Sequence, residues 1–298
     1  MTSTVEYVAT IEEVPPRRSE WRRLVRVFWR RKLAVVGLVI VLALIVVAIF
    51  GPLIAPYDPY KTNIGNKLAP PSSEHWFGTD AVGRDTLSRV VYGARTSLVV
   101  ALGAVLLGAV IGQLLGLLAG FFGGWVSHVI MRLIDALMSI PMIVLALVIS
   151  SVLGGGIKNV IIALAIGGIP GQCRMMCAQT MSVKENDYVL AGRTMGVSNW
   201  RIMLRHIYPN AFAPCLVIMT VSLGATILAE AGLSFLGAGI NAPAAAWGSM
   251  IKDGYKYLLT NPVLSIAPGV FIMLAVFGFN MFGDGLRDAL DPRLRGTL

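Results

Sequence analysis

The sequence predicts an all-α, polytopic membrane protein with six transmembrane helices. Three observations carry this. Charged residues make up only 14% of the chain and the mean hydropathy is +0.72, where a soluble domain carries roughly 25% charge. Six apolar stretches approach or exceed the ~20 residues needed to cross ~30 Å of hydrocarbon. Finally, the basic residues are distributed unevenly between the two sets of connecting loops.

Residues 1–32 form a basic N-terminal segment. Eight of the 25 Lys/Arg lie between Arg17 and Lys32, directly before the first apolar run. The net charge of +9 would suit a nucleic-acid partner if it were spread over a face. Concentrated here, it suits the inner flank of a membrane helix. The run at 33–53 exceeds the ~7–15 apolar residues of a cleavable signal, so it reads as a retained anchor. The other stretches are 98–122, 129–153, 159–176, 211–236 and 263–283, the fourth being the least apolar.

With the N-terminus inside, the C-terminus is inside as well. The loops and flanks assigned inside then hold 17 Lys/Arg and those assigned outside hold 8, which supports the orientation. Five of the eight fall in the outer loop 54–96. There Asp80/Arg84 and Asp85/Arg89 stand four apart, a spacing that suits ion pairs on a short surface helix. Residues 97–286 form a five-helix core, and 287–298 an inner tail.

The second span carries Gly108, Gly112, Gly116 and Gly120 at four-residue spacing. Such a ridge lets a neighbouring helix approach closely in lipid. The longest inner loop contains a hairpin over 182–209. Ser182 and Glu185 form a capping-box pattern opening one helix, which Gly196 closes. Ser198 caps a second helix, which Pro209 ends.

Few residues offer chemistry. The chain lacks Gly-x4-Gly-Lys-Ser/Thr; Gly154-Gly-Gly-Ile-Lys158 has neither the spacing nor the Ser/Thr. His75, His128 and His206 fall in separate segments, so no metal site is expected. Cys173, Cys177 and Cys215 read as small buried apolar residues. Arg132 and Asp135 stand three apart and are expected to pair, and Asp284, Arg287, Asp288 and Asp291 suggest a local ion-pair cluster. Glu230, in the outer half of the fifth span, has no basic residue within one turn. A carboxylate there needs a partner or a water-filled cavity, so it either lines a translocation path or pairs across a subunit interface.

The hairpin also carries a resemblance. Leu190-Ala-Gly-Arg-Thr-Met-Gly196, followed after nine residues by His206-Ile-Tyr-Pro209, resembles the EAA loop of ABC importer permeases. That loop reads Glu-Ala-Ala, three residues, Gly, nine residues, Ile-x-Leu-Pro. Gly196 and Pro209 match it in spacing, whereas Leu190, Gly192, His206 and Tyr208 depart from it. Three further segments resemble the C-type subunit of the dipeptide/oligopeptide/nickel permease family: Phe77-Gly-Thr-Asp to Ser97-Leu98, Ala231-Gly-Leu-Ser-Phe-Leu-Gly-Ala-Gly239 with Trp247-Gly-Ser-Met250, and Phe279-Asn-Met-Phe-Gly-Asp to Pro292-Arg293.

The resemblance implies a type I ABC importer permease fold in a bacterial or archaeal cytoplasmic membrane, with both termini cytoplasmic. It also implies a second permease subunit, two ATPase subunits and an extracytoplasmic solute-binding protein. ATP and Mg²⁺ would be held by the ATPases and no cofactor by this chain. The expected ATPase contact comprises Leu190, Ala191, Gly192, Arg193, Gly196, Val197, Ser198, Arg201 and Pro209. Di- and oligopeptides are the implied solutes, with nickel chelates or another small solute as the alternative. A self-sufficient secondary transporter would be expected to show inverted repeats or a central ion site, and neither is evident.

Overall fold

A computed structural model describes residues 20–290, with only the backbone considered for 20–24. The basic positions Arg17 and Arg18, and Asp291, Arg293 and Arg295 of the tail, lie outside the described residues.

The described chain is helical. A short helix, α1 (Glu20–Arg30), breaks at Arg31 and is followed by α2 (Lys32–Ile54). After the loop come α3 (Thr86–Phe122), α4 (Gly124–Met138), α5 (Met142–Leu153) and α6 (Ile157–Val183). Two short helices, α7 (Asp187–Thr194) and α8 (Asn199–Arg201), precede α9 (Tyr208–Leu236). The chain closes with α10 (Trp247–Tyr255) and α11 (Val263–Leu290). Five of these segments are long and apolar enough to cross a membrane, and six if α4 and α5 form one bent span.

The third span departs from expectation. It is broken, with α4 and α5 bent by 87°. Pro141 supplies the cause: it lacks the N–H a continuing helix would need and itself stands outside the helical region (φ −53°, ψ 131°). The fourth stretch, least apolar in sequence, instead forms the unbroken α6 and buries its polar Gln172 and Thr180 against neighbours.

The glycine ridge of α3 meets α6. A Cβ on Gly108 would lie 2.8 Å from the Ala165 carbonyl oxygen, and one on Gly112 2.6 Å from that of Ile169. On Gly116 it would strike the Cys173 carbonyl, and on Gly120 it would lie 2.7 Å from Thr180 Cβ. Backbones this close leave no room for any side chain but hydrogen. Cys173, Cys177 and Cys215 are free and buried in this region.

α3 is longer than its apolar stretch. At 1.5 Å per residue its 37 residues span about 55 Å, well beyond the hydrocarbon, so its first turns stand clear of it. Asp85 caps the start by accepting from Ser88 N (2.8 Å) and Ser88 Oγ (2.7 Å), with His75 Nδ1 2.8 Å from its other oxygen. As a cap, Asp85 is not a helical ion-pair partner for Arg89. Arg89 turns instead to Asp80 (3.6 Å) and donates to the Pro59 carbonyl. Asp80 does pair with Arg84 at 2.6 Å, but across a tight turn. Trp247 of α10, fully buried, donates to the Val90 carbonyl at 2.9 Å and locks α10 to this end of α3.

The ion pairs also rearrange relative to expectation. Asp135 takes Arg174 of α6 at 2.6 Å rather than Arg132 of its own helix. Asp288 takes Arg31 at 2.8 Å, joining the start of α2 to the end of α11. In both cases the partner is a cation from a different segment packed alongside, Arg174 on α6 and Arg31 at the N-cap of α2.

Candidate functional site

The loop 184–207 folds as a hairpin, though its helices begin and end differently from expectation. Ser182 lies inside α6, which runs on to Val183, so the expected capping box is absent. α7 starts instead at Asp187 after Asn186. It closes with Met195 N donating to the Ala191 carbonyl and Val197 N to that of Gly192, both at 3.1 Å. This closure needs a left-handed residue, and Gly196 has φ +75°.

Pro209 does not end the second helix. α8 passes through a widened π turn, Ile202–Ile207, straight into α9. Tyr208 N donates five residues back to Met203. The looser winding absorbs the missing N–H of Pro209 and its steric conflict with the preceding turn. The hairpin arm and the spanning helix are therefore one continuous rod from Asn199 to Leu236.

The hairpin has two faces. Val189, Ile202, Met203 and Ile207 are buried against Leu117 and Phe121 of α3, Met176 of α6 and Ala211 and Cys215 of α9. Arg193 lies over the Phe121 ring, and Lys184 Nζ donates to the Gly120 carbonyl at 3.0 Å, filling an orphan acceptor at the α3 C-terminus. The opposite face is open. Leu190, Met195 (76% exposed), Trp200 (57%) and Leu204 project from it. Of the expected contact residues, Leu190, Ala191, Arg193, Gly196, Ser198 and Arg201 are exposed, Val197 is half-buried and Gly192 is buried. Pro209 is exposed but lies on α9, away from the hairpin tip.

A cavity of about 790 Å³ opens between α6, α9 and α11, lined by Gln179, Asn210, Val217, Ser222, Asp284 and Arg287 among others. A smaller pocket of about 80 Å³ adjoins it, sharing Ser222 and Ala225. Into its wall falls Gln172, within a buried polar chain: Tyr208 Oη donates to Gln113 Oε1 at 3.0 Å, and Gln113 Nε2 donates to Gln172 Oε1 at 3.1 Å. The Gln172 amide nitrogen has no partner among the described residues.

Glu230 faces neither cavity. It is 0% exposed, and its carboxylate accepts from Ser234 Oγ at 2.7 Å and Ser97 Oγ of α3 at 3.3 Å. Ser234 Oγ in turn accepts from Ile240 N at 3.0 Å. In this conformation Glu230 is a packing and hydrogen-bonding residue, not the wall of an open path.

A family model described as the inner membrane component of binding-protein-dependent transport systems matches residues 112–296. The chain belongs to this family. A second model, the N-terminal transmembrane domain of oligopeptide transport permease C, matches residues 19–71. Among curated relatives, the dipeptide transport system permease protein DppC of Alkalihalophilus pseudofirmus is 43% identical over 93% of this chain and 91% of its own length. The oligopeptide transport system permease protein OppC of Bacillus subtilis is 42% identical over the same shares. The glutathione transport system permease protein GsiD of Escherichia coli O1:K1 is 42% identical over 94% and 92%. A solved structure of the MetNI methionine ABC transporter shares the fold, with TM-score 0.56 and 20% identity over 69% of this chain and 98% of that one.

As a permease component of this family, the chain is a multi-pass inner-membrane protein. Two features of its site escape sequence reading. The π turn leaves no mark beyond Pro209 in an otherwise helical stretch. The cavity wall on α9 (Val217, Ile218, Val221, Ser222) looks like any apolar face until α11 is placed beside it.

Proposed function

We propose that the chain is one permease half of an ATP-driven importer of di- or oligopeptides, coupled through its 187–207 hairpin to a cytoplasmic ATPase subunit. The observation that carries this is the two-faced hairpin. Its inner face is clamped to α3, α6 and α9, and its outer face offers Leu190, Met195, Trp200 and Leu204 to a partner. Exposed apolar residues on a water-facing loop mark an interaction site. Because α8 is continuous with α9, a displacement of the hairpin moves the spanning helix as a rigid body rather than dissipating in a linker.

The hairpin end is then cytoplasmic, as are the chain termini, and ATP and Mg²⁺ reside in the ATPases. The 790 Å³ cavity is half of the solute path, bounded by α6, α9 and α11 and completed by a second permease. Solute is delivered at the opposite end by a binding protein. The substrate class follows the relatives named above, whose transport systems handle dipeptides, oligopeptides and glutathione.

The test is co-purification. Trp200→Glu and Gly196→Pro each alter the exposed end of the hairpin. Both variants are expected to insert normally, lose their ATPase partners on purification and lose uptake of a labelled dipeptide. Wild-type co-purification and uptake in both would sink the coupling role.

A further inference from the structure

At the end of the bundle away from the hairpin lies a cavity of about 210 Å³ between the start of α3 and α10, lined by Asp80, Arg84, Thr86, Arg89, Asp253 and Lys256, with Tyr257 and others. We infer that this cavity is a carboxylate-binding site. Arg84 and Arg89 share one acid: Asp80 Oδ2 lies 2.6 Å from Arg84 Nε and 3.6 Å from Arg89 Nε. Asp80 Oδ1 is already taken by the backbone N–H groups of Val82 and Arg84, both at 2.9 Å. Asp253 and Lys256, exposed on the rim, carry opposite charges. The cavity therefore gathers three cations, Arg84, Arg89 and Lys256, against two carboxylates, Asp80 and Asp253, which leaves one positive charge in surplus.

Burial makes that surplus costly to leave unpaired. Arg89 is 3% exposed, and its one hydrogen bond among the described residues runs from Nη1 to the Pro59 carbonyl. A buried guanidinium with donors unfilled is a strong acceptor-seeking group. An independent sign comes from Thr86. It lines the same cavity, is 1% exposed, and its hydroxyl has no partner among the described residues. Buried hydroxyls are normally hydrogen-bonded. A carboxylate seated against the start of α3 meets the Thr86 hydroxyl with one oxygen and the guanidiniums with the other. Arg planarity suits such two-oxygen recognition.

The carboxylate has two possible sources: an acidic side chain of a protein docked on this face, or a small carboxylate solute. The experiment uses the full chain in nanodiscs and sodium succinate as the probe, against sodium chloride at equal ionic strength. Succinate is expected to raise the melting temperature of the wild type. Thr86→Val is expected to weaken the apparent succinate affinity by about tenfold, as loss of a hydrogen bond to a charged group implies. Thr86→Ser, which keeps the hydroxyl, is expected to restore it, so a general folding defect is separated from loss of the site. In the second arm, a photo-crosslinker at Val82 in the cavity lining is combined with a candidate solute-binding protein, the partner class that the proposed function implies. A crosslink displaced by succinate identifies a docked side chain as the occupant; succinate stabilisation with an undisplaced or absent crosslink identifies a solute. The inference is overturned if succinate gives the wild type no stabilisation beyond chloride, or if Thr86→Val binds it as well as the wild type. Neither outcome depends on the hairpin variants that test the coupling role.

Discussion

The Arg193 guanidinium sits over the ring of Phe121, 4.9 Å from its centroid, and joins the hairpin to the last turn of α3. The contact matters because α3 is not connected to the hairpin by sequence. α6 and α9 flank it directly, so they follow its movement through the backbone. α3 meets the hairpin only by contact, through Arg193, Val189, Ile202, Met203, Ile207 and Lys184.

Arg193→Ala removes a partly exposed cation–π contact worth about 0.5–1 kcal/mol. The expected result is two- to fivefold faster amide hydrogen exchange over 189–197, with exchange in the centre of α3 unchanged. Phe121→Leu is expected to do the same. Unaltered exchange over 189–197 in both variants would show that the hairpin is held without this contact.

The α3–α6 seam gives a sharper contrast. At Gly116 an added Cβ meets the Cys173 carbonyl and lies 2.9 Å from both Cys177 N and Met176 Cβ, two of the three being backbone atoms that cannot swing aside. At Gly168 it meets nothing within 4 Å. Gly116→Ala is therefore expected to cost about 1–3 kcal/mol through overpacking, seen as a clear drop in melting temperature in detergent. Gly168→Ala is expected to leave it within about 1 °C. Equal melting temperatures would mean that the helices can separate at no cost.

Much of this was readable from sequence, and the exceptions share a cause. Hydropathy located the spans because lipid penalises every unpaired polar group, and four glycines in register announced a seam without naming α6. Partner choice was not readable. Asp135 goes to Arg174, Asp288 to Arg31 and Arg89 to Asp80. Spacing along one helix favours near neighbours, whereas packed helices bring distant cations closer. The 87° break was written in Pro141 but masked by the unbroken apolar composition around it. In the hairpin, Gly196 was legible as a left-handed closure, whereas Pro209 read as a terminator because a π turn has no sequence signature of its own.

That turn is itself testable. Pro209→Ala restores an N–H and removes the ring, so the helix can return to regular winding. Absorbing one extra residue rotates everything before it by about 100° relative to α9, which would turn Trp200 away from its present direction. Membrane yield is expected to stay normal while ATPase stimulation by the reconstituted transporter falls severalfold. Wild-type stimulation would show that the wide turn persists without proline.

Glu230 provides the last test, and two substitutions separate its possible roles. The carboxylate is sealed between α3 and α9, with Ser97 and Ser234 as donors and the Ser234 hydroxyl holding Ile240 N in turn. Glu230→Gln keeps the volume, keeps an acceptor oxygen for Ser234 and adds an amide that can donate to Ser97. Glu230→Ala opens a void and strands two buried hydroxyls, each costing about 1–3 kcal/mol when left unpaired. If Glu230 serves packing, Gln is expected to sustain near-normal dipeptide uptake, whereas Ala lowers the melting temperature and the folded yield. If its charge meets the solute in another conformation, Gln abolishes uptake although the protein folds and retains its ATPase partners. The structure favours the first outcome because the carboxylate is fully buried, lines neither of the two cavities beside α9, and has Ser97 and Ser234 as its hydrogen-bond donors. Folded Glu230→Gln protein that fails to transport would overturn that assignment and return Glu230 to the solute path.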